Sequence, residues 1–115
     1  MKVHLTPEAK RHLNLYRRLE NVSTGFLIGN EIGKHIMVDS LIPLAFDERN
    51  IDHVYNAVLK EYGTKLIGLF FAEKHFFLND WFMGDVILKF DEQNMVFYHF
   101  DLDKTMTAYT LWEAK

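Results

Sequence analysis

The sequence predicts an α+β fold, an α/β sandwich in which helices flank one mixed β-sheet. Stretches with apolar residues at helical spacing alternate with short apolar runs that are typical of strands. A chain of 115 residues with 49% hydrophobic and 25% charged side chains also has the size and composition of one globular domain. We therefore expect a single domain over residues 1–115, with elements in the order β-α-β-β-α-β-α-β-β.

The first half of the chain predicts a strand, a helix and a hairpin. Val3-His4-Leu5 can form a short opening strand. Thr6 can cap a helix and Pro7 suits its first turn, so a helix is expected from residue 6 to about residue 20. Two apolar runs, at residues 26–28 and 36–42, flank turn-forming residues at 29–33 and predict a hairpin.

The second half of the chain predicts two more helices and three more strands. Asn50 can begin a helix that ends at Gly63, which tolerates the conformation that closes a helix. The apolar stretch at 65–71 predicts a central strand. Asn79 or Asp80 can cap a third helix running to about Lys89. Residues 95–100 and 106–112 predict the final two strands.

The composition argues against several classes of function. Lys and Arg number 13 and Asp and Glu 16, which gives a net charge of −3 and no basic excess for binding nucleic acid. Cysteine is absent, which excludes disulfides, cysteine zinc sites and thiol catalysis. The first residues do not resemble a signal peptide, and no run approaches the ~18 apolar residues of a membrane span. We expect a cytoplasmic protein that binds neither membrane nor nucleic acid.

One alternative is a divergent metal-dependent hydrolase. Of the six histidines, His75 has acidic residues nearby, with Glu73 before it and Asp85 after it. Zinc is bound by His, Asp and Glu side chains, so these three residues could surround a metal ion. Their spacing matches no recognised motif, and solvated loop residues would give the same pattern. No catalytic, metal-binding or cofactor-binding residue is therefore assigned.

An aromatic stretch between residues 70 and 83 predicts the functional surface. Phe76, Phe77, Trp81 and Phe82 fall where a loop is expected to follow the central strand, and loops lie on the surface. Exposed aromatic clusters mark surfaces that bind partners. These four residues are the predicted interaction site. A pocket for a small molecule, lined by the same rings, is a further alternative.

Three stretches of the chain resemble the MPN (JAMM) domain family, and the resemblance covers almost the whole sequence. They are Gly25-Phe26-Leu27-Ile28-Gly29, Leu41-Ile42-Pro43-Leu44 and Tyr62-Gly63-Thr64-Lys65-Leu66-Ile67-Gly68, in this order around two predicted helices. The family comprises zinc-dependent isopeptidases that act on ubiquitin conjugates, together with inactive relatives. The resemblance implies an MPN-like fold.

The resemblance also implies that the metalloprotease site is missing. In active members a Glu before the first glycine strand is the general base, and a His-x-His-Pro motif and a later Asp hold zinc. Here the base position falls near Val22 or Ser23, and Phe71 and Glu73 stand where the two histidines would be. Only Asp85 can match the later Asp. Inactive members are scaffolding subunits that bind other proteins, often as pairs of MPN domains.

Together these observations predict a non-catalytic interaction or scaffolding domain without a cofactor. The expected partner is another protein or a second copy of the chain in a homodimer, which is the commonest symmetric assembly.

Overall fold

The computed structural model describes residues 2–111, which form eight strands and two α-helices. Short 3₁₀ turns at 63–65, 73–75 and 80–82 complete the regular structure. The elements in chain order are β1 (Lys2–Leu5), α1 (Pro7–Tyr16), β2 (Thr24–Ile32), β3 (His35–Pro43), α2 (Ile51–Tyr62), β4 (Leu66–Ala72), β5 (Val86–Phe90), β6 (Met95–Phe100), β7 (Met106–Ala108) and β8 (Thr110–Leu111). Residue 112, the end of the predicted last strand, lies outside the described residues.

All eight strands belong to one sheet that nearly closes on itself. Their order is β7-β6-β5-β4-β2-β3-β1-β8, so β7 and β8 are the two edges. Tyr109 alone separates these strands in the chain, which passes directly from one edge to the other. β1 pairs in parallel with β3 and β8, β4 pairs in parallel with β5, and the other pairs are antiparallel. The result is a barrel-like sheet.

This architecture shows that the predicted fold class is wrong. The chain is mostly sheet, whereas an α+β sandwich has helices flanking the sheet. Irregularities beside Ile28 in both pairings of β2 help to explain the curvature, because bulges bend and twist a strand. Sequence periodicity detects strands but carries no direct signal for the curvature that brings distant edges together.

The largest local error is the third predicted helix. Instead of a helix from residue 79 or 80 to Lys89, the chain makes one 3₁₀ turn at Asp80–Phe82 and then the strand β5. Gly84 has a φ of +89° and separates the two, which breaks any helix at that point. Val86, Ile87 and Leu88 are buried between β4 and β6, so sheet pairing outweighs local helix propensity.

The two other helices are confirmed, with different bounds. The side chain of Thr6 accepts a hydrogen bond from the Ala9 N–H (3.1 Å), as expected for the start of α1. α1 ends at Tyr16, four residues earlier than predicted. α2 ends at Tyr62 and is followed by Gly63 with a positive φ of 58°, as predicted. Asn50 makes no side-chain cap, and its side-chain oxygen instead accepts from the Asp47 N–H.

Two hydrophobic clusters lie on opposite faces of the curved sheet. The inner cluster takes side chains from β1 to β6 and Tyr109, and Ala9 and Leu13 of α1 pack against it. The outer cluster lies on β2, β4, β5 and the end of β6, and it includes Ile51 and Val58 of α2. No helix among residues 2–111 combines the length and apolar character needed to cross a membrane.

Candidate functional site

The candidate site is the loop that joins the parallel strands β4 and β5. Neighbouring parallel strands run in the same direction, so residues 73–85 must carry the chain back along the sheet. Two 3₁₀ turns shape this loop. Asn79 stabilises the second turn, because its side-chain oxygen accepts from the Trp81 N–H at 2.9 Å.

The four predicted interaction residues divide between core and surface. Phe82 is fully buried and contacts Tyr55 and Phe71, so it belongs to the outer cluster and not to an exposed surface. Phe76 and Phe77 are half-buried against Phe71.

Trp81 is 47% exposed although its ring approaches Tyr55, and Leu78 beside it is 44% exposed. We call Phe76, Phe77, Leu78 and Trp81 the aromatic patch.

Charged side chains of both signs border the aromatic patch. Lys89 lies 4.3 Å from the centre of the Phe76 ring and forms an ion pair with Glu73 at 3.1 Å. Asp80, next to Trp81 in the chain, pairs with Lys104 at 3.4 Å. The patch therefore has an apolar centre and a polar border, which is the anatomy of a protein interface.

The structure does not bring together the three residues of the alternative metal site. Glu73 and His75 follow the end of β4, whereas Asp85 precedes the start of β5. The pairs Gly68–Val86 and Ala72–Phe90 place these positions at opposite ends of two adjacent strands. Among residues 2–111 no group of three or more His, Asp or Glu side chains is arranged to hold a metal ion.

The family positions named in the sequence analysis are also unsuited to a metal. Phe71, at a zinc-ligand position, is completely buried and surrounded by the rings of Phe46, Phe77 and Phe82. Glu73, at the other ligand position, is paired with Lys89. A catalytic zinc needs three protein ligands and an open coordination position.

Asp85 instead forms a contact between α2 and the beginning of β5. The Tyr55 hydroxyl donates a hydrogen bond to its Oδ2 at 2.7 Å. Burial raises the pKa of Asp85 to about 7, although the Tyr55 hydrogen bond and the nearby His99 both act to lower it. Burial and the Asp85 charge raise the pKa of Tyr55. Asp85 therefore changes charge near neutral pH.

A small cavity of about 130 Å³ lies beside Asp85, and His99 and Tyr109 also line it. Nδ1 of His99 lies 2.7 Å from Oδ1 of Asp101, and this contact fixes the imidazole ring. Burial and the charges of Glu31 and Asp101 raise the pKa of Tyr109 to about 12. This end of the barrel thus holds an imidazole between two acidic groups.

A larger cavity, of about 390 Å³, lies at the end of α1. Tyr16, Leu19, Val22 and Phe90 form much of its apolar lining, and none of the four predicted interaction residues contributes to it. The guanidinium of Arg17 closes one side by donating to the carbonyl oxygens of Asp91 and Glu92.

Sequence reasoning missed two contributors to these sites. Leu78 lies within the aromatic loop but is not aromatic, and the predicted interaction site contained aromatic residues only. Tyr55 lies inside α2, where its ring fits the apolar side of the helix and gives no hint of a polar contact. Its hydroxyl contact with Asp85 joins residues 30 positions apart, and no local pattern reveals such a pair.

Comparison with known proteins supports the fold and gives no assignment of function. No protein-family model matches the chain, and no curated protein matches it. Among solved structures, the solution structure of protein DSY2949 from Desulfitobacterium hafniense is similar, with a TM-score of 0.62 and 11% sequence identity. The match covers 98% of this chain and 93% of that one, so the fold similarity extends over the whole domain.

Proposed function

We propose that this domain is a non-catalytic interaction module that self-associates through the aromatic patch. The observation that carries the proposal is the half-exposed Trp81 beside the exposed Leu78, in a loop whose remaining rings anchor it to the core. Tryptophan is among the residues that contribute most to binding energy at protein interfaces. The domain has no cysteine, and we place it in the cytoplasm.

The border of the patch favours a second copy of the chain as the partner. It carries two acids, Glu73 and Asp80, and two bases, Lys89 and Lys104. In a two-fold contact each acid can approach a base of the other copy, so the same surface serves both sides.

The energetics of the patch are compatible with association. Burying one large apolar side chain contributes about 1.5–3 kcal/mol, and a symmetric contact buries each exposed residue twice. Trp81 and Leu78 of two copies can therefore offset much of the association cost of about 4–15 kcal/mol.

We also propose that the chain is an MPN-like domain without the metalloprotease site, in keeping with a scaffolding role. The buried, ring-packed Phe71 and the paired Glu73 support this proposal because neither is available to bind zinc. Purified protein should contain no stoichiometric zinc and should not cleave ubiquitin-like conjugates. Stoichiometric zinc that disappears in Glu73→Ala would overturn this part of the proposal.

Sedimentation equilibrium tests self-association, and every substitution used in the test is at an exposed residue. The Leu78→Ser/Trp81→Ser variant should remain folded and shift toward monomer, because it removes the most exposed apolar area of the patch. Ile32→Ser is the matched control, since Ile32 is 69% exposed at the distant tip of the β2–β3 hairpin. A wild type that stays monomeric at every accessible concentration, or equal shifts in both variants, contradicts the proposal.

A further inference from the structure

The outward face of α1 is a basic surface that self-association through the aromatic patch does not use. Ala9 and Leu13 of this helix are buried in the inner cluster, so its opposite face points to solvent. A shallow groove there is lined by residues that include Lys10, Arg11 and Arg18. We call this surface the basic groove.

The cations of the basic groove are not paired within the described part of the chain. Lys10, Arg11 and Arg18 are exposed, and none forms an ion pair with another residue of the 2–111 range. No Asp or Glu of that range lines the groove. This local excess contrasts with the net charge of −3 of the whole chain.

The groove also has an apolar element. Leu15 lies between the cationic side chains and is 50% exposed. Asn14 beside it adds an amide that can donate or accept hydrogen bonds. The surface therefore combines positive charge, one hydrophobic contact point and one adaptable polar group.

We propose that the basic groove binds an acidic segment of a partner protein, one in which an apolar side chain stands among carboxylates. Its charge complements such a segment, and Leu15 offers a site for the apolar side chain.

The dimensions of the groove favour a protein segment over other polyanions. From Lys10 to its end at Tyr16, α1 rises about 9 Å at 1.5 Å per residue, and Arg18 lies just beyond it, so the groove covers few phosphates of a nucleic acid. A helix that lies on a lipid surface inserts an apolar face, but the apolar face of α1 is already buried against the barrel.

The two surfaces lie on opposite faces of the sheet. α1 packs against the inner cluster, whereas Phe76 and Phe77 pack against the outer cluster. One copy of the chain could therefore hold an acidic partner while it contacts a second copy, which is the arrangement of a scaffold.

Fluorescence anisotropy with a labelled synthetic peptide tests the inference. The probe is a short peptide in which leucines interrupt runs of glutamate, and the wild type should bind it more weakly as salt concentration rises. Lys10→Glu/Arg18→Glu should weaken binding about tenfold, because two attractive contacts become repulsive. Arg49→Glu/Lys60→Glu is the control, since it changes net charge equally at exposed positions elsewhere.

Four outcomes would overturn the inference. These are no binding of the peptide, equal weakening in both double variants, tighter binding of a short DNA duplex than of the peptide, and tighter binding of phosphatidylserine vesicles. Self-association of the wild type is measured separately by sedimentation. A result against peptide binding at the basic groove is therefore distinguishable from a result against self-association through the aromatic patch.

Discussion

Asp85 makes the stability of the domain dependent on pH. Its carboxyl is largely buried, and its pKa is raised from 3.8 in the unfolded chain to about 7 in the folded one. Between these two values the folded state holds a proton that the unfolded state has lost. The free energy of unfolding therefore falls as pH rises from about 4 to about 7. Above pH 7 the carboxylate is ionised in both states, and this loss of stability is complete.

Asp85→Asn should raise the free energy of unfolding at pH 8 by about 1–3 kcal/mol, because the amide needs no ionisation in the buried site. The gain should be much smaller at pH 4.5, where the folded protein keeps the wild-type carboxyl protonated. Urea denaturation at both pH values measures the effect, and Glu61→Gln on the exposed face of α2 is the control. An equal effect of Asp85→Asn at both pH values would contradict the raised pKa.

His12 is a second residue whose buried polar atom lowers the stability of the domain. Its ring stacks on Tyr16 at 5.9 Å, but its buried Nδ1 has no hydrogen-bond partner among the described residues. His12→Phe keeps the stacking and removes the buried polar atom, so it should stabilise the protein by about 1 kcal/mol. Melting temperatures should show no such gain for the exposed His53→Phe, and a loss of stability in His12→Phe would show that Nδ1 is satisfied.

At the scale of elements, the two helices and the first hairpin were predictable because their signals are local. Thr6 with Pro7, and Gly63, lie within or beside the helices that they define. β5 was missed because its signal is tertiary: Val86 to Leu88 form a strand where β4 and β6 offer partners on both sides. The aromatic composition of residues 70–83 predicts the position of the loop. It does not predict whether Trp81 or Phe82 faces solvent, because that depends on packing against Tyr55.

Gly68 is required where β4 meets β5. A Cβ at this position would lie 1.8 Å from the Val86 carbonyl oxygen, which is backbone and cannot rotate away. Gly68→Ala should therefore destabilise the protein by at least about 1–3 kcal/mol, the usual cost of overpacking. In chemical denaturation Val96→Ala, at a partly exposed site on β6, should cost less, and comparable losses in the two variants would contradict this close strand approach.

For the whole molecule, closure of the sheet depends on Tyr109. This buried residue connects β7 to β8, its N–H donates to the Phe97 carbonyl at 2.8 Å, and its ring contacts His99. No sequence pattern predicted this junction, because residues 106–112 have the composition of one ordinary strand. The division of that stretch between two edges of the sheet arises only from the curvature of the whole barrel.

Tyr109→Ala should cost about 3 kcal/mol, as removal of a buried aromatic ring does. Hydrogen exchange should then accelerate in both β1 and β6, which lie on the two sides of the junction. Thr110→Ala, at the neighbouring exposed position, should leave both strands protected. Acceleration in β6 alone would contradict the closure of the sheet through Tyr109.

Intermolecular paramagnetic broadening reports directly on self-association through the aromatic patch. The chain has no cysteine, so Lys74→Cys places a single spin label at an exposed position two residues before Phe76. Spin-labelled protein is mixed with ¹⁵N-labelled wild type, and broadening is recorded for each amide. Self-association through the aromatic patch should broaden the amides of residues 76–82, and this broadening should be lost with Leu78→Ser/Trp81→Ser. No broadening, or broadening centred on the β2–β3 hairpin tip, would contradict self-association through this patch.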